Sequence, residues 1–416
     1  MAGGLFEFFR HRALDARNAF APNDDAAFER HQHPNFEPRL GVAWDPIGDS
    51  RTLVRATYAL TVEQPMINAV ANLGANPPLG SPLTVTGIVP IASAFAQARA
   101  GGLAPITIDP DYRNGVTHSW NVNLQREIAA NTALMAGMIW TEGQNLRLTR
   151  NINQPLGGVR PFAAVSADSP ILPGSPLGNI TQIESSGKSR YRSVWASVTR
   201  RLSRGLQFSG SYAWSRSLDY NSLSSPPTVI TVQNGYELPD SWGPSDFDVR
   251  HRVVVRGVYQ LPLGSHPLLD GWQLAGILQC QSGSPLNIVT SNSTLTGVPN
   301  TVRPDVTGPI EIIGDVQRWF DPSVFVQASG FGNLRRNVVV GPRFDNLDVS
   351  LSKSIPLARA RILLQADVFN VFNHPNLGQP GRIVGSPNFS VITNTRFAPG
   401  DSGSSRQVQL SLRLAF

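Results

Sequence analysis

The sequence predicts an all-β chain: an antiparallel transmembrane β-barrel, partial at about twelve strands, with short periplasmic turns and long extracellular loops. Three observations carry this expectation. The last stretch, Arg406 to Phe416, reads RQVQLSLRLAF, with Val408, Leu410, Leu412, Leu414 and Phe416 on one parity and Gln407, Gln409, Ser411, Arg413 and Ala415 on the other. Successive side chains of a strand face opposite ways, so one face is apolar and the other polar. A barrel turns the first to lipid and the second to a wet lumen. Next, such segments are joined alternately by turns of roughly three to ten residues and loops of roughly 30 to 60, whereas soluble domains rarely repeat long structureless loops. Finally, charged residues make up 15% and hydrophobic residues 41% of the 416. That balance is too uncharged for a disordered chain and too polar for a bundle of membrane helices. No run of about 18 apolar residues is present.

The elements follow in order. Leu5 to Arg10 reads as a short strand, and residues 11–30 as helical or irregular. Arg39 to Asp45 places Leu40, Val42 and Trp44 on one face, and a turn at 46–50 reverses it into Thr52 to Leu60. A Pro/Gly/Ala-rich connection to Thr117 holds one or two helical turns at Ala92 to Ala100. Trp120, Val122, Leu124 and Ile128 alternate with polar residues, and a tight turn ending at Asn131 leads into Thr132 to Trp140. Val194 to Val198 reaches a Ser203-Arg204-Gly205 turn, where glycine suits a left-handed backbone, and returns as Leu206 to Trp214. Arg250 to Leu261 pairs with Trp272 to Gln281, and Leu347 to Leu351 with Ile362 to Phe372, before the closing strand. Both termini and the short turns are then periplasmic, and 61–117, 141–190, 217–249, 282–344 and 373–405 are extracellular. Trp44, Trp120, Trp140, Trp214 and Trp272 share the apolar parity near strand ends, as aromatic girdles do.

Little of the chemistry-bearing inventory points to a reaction. The net charge of +6 raises nucleic acid as a partner. Only Lys188 and Lys353 are lysines, however, and the arginines are scattered without a basic run, so no nucleic acid is expected and arginines lining a polar lumen account for the charge. The single Cys280 excludes a disulfide within the chain and any cysteine metal cluster. There is no G-x-S-x-G, P-loop or H-E-x-x-H, so neither an enzyme nor a cofactor is expected. His31-Gln32-His33 lacks further ligands and reads as linker, and His374 sits among turn formers. Ser245 to Arg252 (SDFDVRHR) places Asp246, Asp248, Arg250 and Arg252 on one parity, a candidate lumenal charge ladder. It is read as structural pairing in preference to a ligand or plug contact, and so are Gln365 and Asp367.

Five stretches make a family resemblance. PRLGVAWDPIGDSRTLVRATYAL, SWNVNLQREIAANTALMAGMIWTEGQNLRLTRNINQP, YRSVWASVTRRLSRGLQFSGSYAWSRSLD, SDFDVRHRVVVRGVYQLPLG and LLQADVFNVFNHPNLGQPG run in the order of the C-terminal β-barrel of the Oar-like TonB-dependent receptors, which the chain resembles from about Phe36 to Phe416. The resemblance implies a cell outer membrane location and a role in passing large ligands across that membrane. It implies lipid as a partner, together with the barrel-assembly machinery, which Leu412, Leu414 and Phe416 address as a C-terminal signal. A TonB system is implied only if a plug and TonB-contacting segment are present. The division expected is 1–35, an N-terminal strand remnant and linker, and 36–416, the barrel domain. MAGGLFEFFRHRALDARNAF has no apolar core of a signal peptide, and no plug precedes the barrel motifs. The expectation is a truncated, plugless fragment that does not transport by itself. The alternative is a non-transport surface β protein, an adhesin or a soluble lectin-like binding protein, which would bury its apolar face in a core of its own.

Overall fold

Alternating strands with exposed apolar faces need an unusual partner, and the sheet shows how they are arranged. The computed structural model describes residues 2–6, 35–63, 76, 90–100, 102–168, 172–222, 230–266, 268–292, 295–298, 300–357, 359–396 and 405–416. Twelve strands lie side by side in sequence order. The first six are β1 (Ala2–Phe6), β2 (Asn35–Trp44), β3 (Thr52–Val62), β4 (Val116–Ala129), β5 (Thr132–Asn151) and β6 (Thr181–Ser203). The rest are β7 (Leu206–Asp219), β8 (His251–Gln260), β9 (Trp272–Gln281), β10 (Phe344–Pro356), β11 (Arg361–Phe369) and β12 (Gln407–Ala415). Every neighbouring pair is antiparallel, a meander in which each strand bonds the next. Among the described residues, no backbone pairing joins β12 to β1.

The register makes the apolar parity continuous across the sheet. Val42, Ala56, Val122, Met138, Val194 and Trp214 are direct partners in one row. Leu274, Leu351, Ala366 and Leu410 are partners in another. These side chains stay uncovered: Val42 is 65% exposed, Met138 57% and Leu410 77%. A soluble sandwich would bury them. The buried apolar residues instead gather in the long connections and in the strand ends that meet them. Leu286, Ile288, Phe320, Phe325, Leu334 and Val339 form one cluster, Leu103, Val165, Leu177 and Ile180 a second, and Leu148, Ile230 and Val232 a third.

Short turns close the other end. Arg204 (φ 51°) and Gly205 (φ 77°) both take the left-handed conformation between β6 and β7, as does Asn131 (φ 61°) between β4 and β5. Asp45 organises the β2–β3 turn by accepting the backbone N–H groups of Ile47, Gly48 and Ser50 at 3.2, 2.8 and 2.9 Å. Those bonds hold its carboxyl below the usual range. Helix α1 (Ile91–Ala100) lies where one or two helical turns are expected.

Three sequence expectations change. Residues 141–151 and 181–190 continue as strand in β5 and β6, above the point where 141–190 was expected to become loop. Register shifts between Gly143 and Leu146, and again between Leu146 and Leu148, break the alternation there, so no period-2 signal marks the extension. Strand β11 stops at Phe369, short of Phe372, because Asn370 and Asn373 turn the chain with positive φ. The described part of the first strand is Ala2–Phe6, while the remainder of Leu5 to Arg10 and the His31-Gln32-His33 pair lie outside the described residues.

Candidate functional site

On the long-loop side, short strand pairs lace the connections together. Pro285–Leu286 pairs with Val339–Val340, Asp305–Val306 with Phe325–Val326, and Val289–Thr290 runs parallel to Ile383–Val384. Phe320, Phe325 and Phe389 meet edge to face at 5.3–5.7 Å inside the largest cluster. Such T-shaped contacts add to simple burial.

Buried polar side chains bind one loop to another. Asn153 is fully buried; it donates to the Phe162 and Gly178 carbonyls at 2.8 and 2.7 Å and accepts from the Phe162 N–H at 2.8 Å. Gln154 donates to the Gln233 carbonyl at 2.9 Å and accepts from the Gly235 N–H at 2.7 Å. Arg303, 1% exposed, donates to the Leu334 carbonyl at 2.7 Å and to the Asp240 carboxylate at 2.6 Å. Burial pulls its pKa down and Asp240 opposes the shift. A buried guanidinium needs such a partner, since an uncompensated charge there is strongly destabilising.

Two clefts open in this cap. The first, about 410 Å³, is lined by Asp109, Arg150, Glu184, Ser185, Tyr236 and Pro239, among others. Arg150 Nε donates to Glu184 at 2.6 Å and its Nη1 to the Gly235 carbonyl at 2.7 Å, while Ser186 donates to the second Glu184 oxygen. Tyr236 donates to the Gln154 carbonyl at 2.9 Å, and burial raises its pKa. The second, about 300 Å³, runs past Glu63, Arg147, Lys188, Asp219 and Phe247. Charged side chains of both signs line both clefts, with the Tyr236 ring in the first and the Phe247 ring in the second.

The candidate ladder divides between two places. Strand β8 begins at His251, so Asp246 to Arg250 form an irregular turn before it instead of a continuous strand face. Asp248 is buried, accepts the Ser217 N–H at 2.6 Å and pairs with Arg250 at 3.2 Å. Asp246 points to Arg336 at 3.0 Å and Asn337 at 2.6 Å, and Arg336 also holds Asp219 at 2.5 Å. Arg252 stands alone of the four on the strand, opposite Ala213 on the polar face. Four charges at period 2 were visible in the sequence; the turn that separates them was not. Arg336, Arg303, Glu184 and Tyr236 escaped sequence reasoning because each is bonded to a residue more than 30 positions away and none stands in a motif. Leu412 and Leu414 lie on β12 opposite Leu364 and Ile362, and Phe416 follows the strand fully exposed.

The family described as outer membrane beta barrel domain matches residues 25–409. No curated protein matches the sequence. The outer membrane transporter YddB from Escherichia coli is similar with a TM-score of 0.52 at 13% identity, over 92% of this chain and 41% of that one. The FrpB iron transporter from Neisseria meningitidis (F3-3 variant) aligns at 0.42 and 13%, over 92% and 39%. The ferripyoverdine receptor of Pseudomonas aeruginosa aligns at 0.44 and 11%, over 92% and 33%. At these identities only the YddB likeness bears on the argument, and it bears on fold alone. The chain spans about two-fifths of the length of YddB and FrpB.

Proposed function

Because this chain belongs to the outer membrane beta barrel domain family, we propose that it serves as barrel of an Oar-like TonB-dependent receptor that passes large ligands across the membrane. It is a protein of the cell outer membrane and not an enzyme. The observation that carries the receptor reading is the division of labour between the two ends of the sheet. The strands leave their apolar face uncovered for lipid, while the long loops fold into a cap with its own buried core and two clefts lined in part by charged side chains. A cap built on a rigid barrel is where a receptor reads its ligand.

Within this reading, residues 36–416 make the barrel domain and 1–35 a strand and linker before it. The Arg150–Glu184–Tyr236 cleft offers charge-assisted bonds and a ring face to a polar ligand at the cell surface. Asp246, Asp248, Arg250 and Arg252 act as structural charges: two of them brace the cap through Ser217 and Arg336, which supports that role over ligand contact. The exposed apolar row of β12, ending in Leu412, Leu414 and Phe416, is an edge that the barrel-assembly machinery can pair. Coupling to a TonB system would run through a plug and a periplasmic segment, as the resemblance implies.

Cross-linking in whole cells of the producing organism tests this. Affinity purification of the chain from the outer-membrane fraction is expected to recover a TonB protein, and an uncoupler of the proton-motive force is expected to change the yield. A chain folded in that fraction with no TonB protein attached would contradict the receptor reading and leave a surface protein without transport.

A further inference from the structure

The lipid-facing side of the sheet carries unbalanced charge where the belt meets the loops. One step towards the loops from the Val42 row, the register sets Leu40, Tyr58, Trp120, Trp140, Arg192 and Arg216 in line. They share parity with Val122, Met138 and Val194, so both guanidiniums lie on the outward face, and both are exposed. Sequence reasoning assigned the arginines to the lumen. Arg256 and Arg252 are there, but Arg192 and Arg216 are not.

Arg192 and Arg216 are direct cross-strand partners, and like charges placed opposite each other destabilise a sheet. Among the described residues, no carboxylate offsets them. Glu142, one row higher, is taken by Arg190 at 2.9 Å; Asp219 is held by Arg336 and Asp248 by Arg250. The Arg192 guanidinium instead lies 4.7 Å from the centre of the Trp140 ring, which fixes its height on the barrel wall. Trp214 sits beside Arg216 on the same face, two residues down the strand, between Val194 and His251, whose ring bonds Tyr212. Tryptophans of this kind mark the membrane interface, so the arginine pair lies at the headgroup level of the outer leaflet. Two planar forks carried by directly paired residues suit the oxygens of a phosphate group, which each can grip bidentately.

We infer that Arg192 and Arg216 together bind a phosphate of an anionic lipid in the outer leaflet, with Trp140 and Trp214 packed beside the lipid body. The lipid phosphate supplies the counter-charge that the protein lacks at this point. The site is separate from the ligand clefts of the cap and does not depend on what the barrel transports.

The test uses the full chain refolded in detergent and titrated with diphosphorylated lipid A, read by native mass spectrometry. Dephosphorylated lipid A and millimolar inorganic phosphate serve as the other arms. Binding of the diphosphorylated lipid is expected, with at least a tenfold loss of affinity in the Arg192→Gln/Arg216→Gln variant and in the dephosphorylated lipid. The lumen-facing Arg256→Gln variant is expected to bind as the parent does, and inorganic phosphate to leave the lipid bound. Unchanged affinity in the double variant, equal binding of the dephosphorylated lipid, or displacement by inorganic phosphate would each overturn the site. If the glutamine variant does not fold, Arg192→Lys/Arg216→Lys decides. It keeps the charge and loses the forks, so a fall in affinity supports the site and parent-like affinity overturns it.

Discussion

Leu410 and Ser411 are adjacent in the chain and face different solvents. Leu410 is 77% exposed on the apolar row with Leu274, Leu351 and Ala366, while Ser411 pairs with Gln365 on the polar side. Leu410→Arg should destabilise the folded chain in bilayers by about 2–4 kcal/mol and Ser411→Arg by little, because only the first sets a charge against hydrocarbon. Urea titration after refolding into vesicles measures both; equal costs would reverse the facing. The neighbouring row is a poorer probe, since Lys353 already stands on it opposite Leu364, tucked against Trp272 and bonded to the Asp270 carbonyl. In the loop cap, Tyr112 is buried and its pKa is raised to about 12, chiefly by desolvation and then by Glu63. The raised value means that its contribution to stability is full below about pH 10, the ordinary tyrosine value, and is lost as pH climbs towards 12. Tyr112→Phe should therefore lose less stability than the parent between those limits, as measured by denaturant midpoints at each pH. Residue parity of this kind was legible in the sequence wherever a strand crosses lipid. Buried Asn153, Gln154 and Arg303 were not, because a polar residue that packs through carbonyl bonds to distant loops looks in sequence like any other loop residue.

At the level of elements, turns and belts were readable and the upper ends of strands were not. Glycine at 205 announced a left-handed turn, and the backbone has φ 77° there. Gly205→Ala should cost roughly 1–2 kcal/mol through that conformation, and the added Cβ would also stand 3.0 Å from the Gln260 carbonyl. Asn131, already left-handed with a side chain, marks a turn that tolerates one. A parent-like midpoint for Gly205→Ala would contradict the turn geometry. The extensions of β5 and β6 beyond Trp140 and Tyr191 were missed because they leave the bilayer. Once both faces meet water or loop, alternation carries no benefit, and the register shifts at Gly143 to Leu148 remove it. The Asp246 to Arg250 turn was missed for the opposite reason: it happens to alternate. Sidedness follows from the same elements. In a Cys280→Ser background, Ser323→Cys in a long loop should react with an impermeant thiol reagent on whole cells and Ser203→Cys in the β6–β7 turn should not. The reverse pattern would invert the barrel.

For the molecule as a whole, the distribution of burial is the informative feature. A soluble β protein encloses its strands' apolar rows, whereas here those rows are bare and the enclosed apolar residues lie in the connections and the strand ends that meet them. From Leu134 to Trp140 the outward row of β5 is apolar for about 20 Å along the strand at about 3.3 Å per residue, a large part of the roughly 25 Å height of an outer-membrane belt. The fold class was legible from this arithmetic and from connection lengths. The cap was not, since its strand pairs are two to four residues long and its contacts span up to a hundred residues or more. The central claim is that the outward face of this sheet touches lipid. Fluorophores placed by cysteine substitution at Val122, Leu410, Asn123 and Ser411, each in a Cys280→Ser chain refolded into vesicles, measure it directly when the acyl chains carry a quencher. Strong quenching at 122 and 410 with weak quenching at 123 and 411 is the predicted result; quenching equal on both parities, or stronger at 123 and 411, would contradict it.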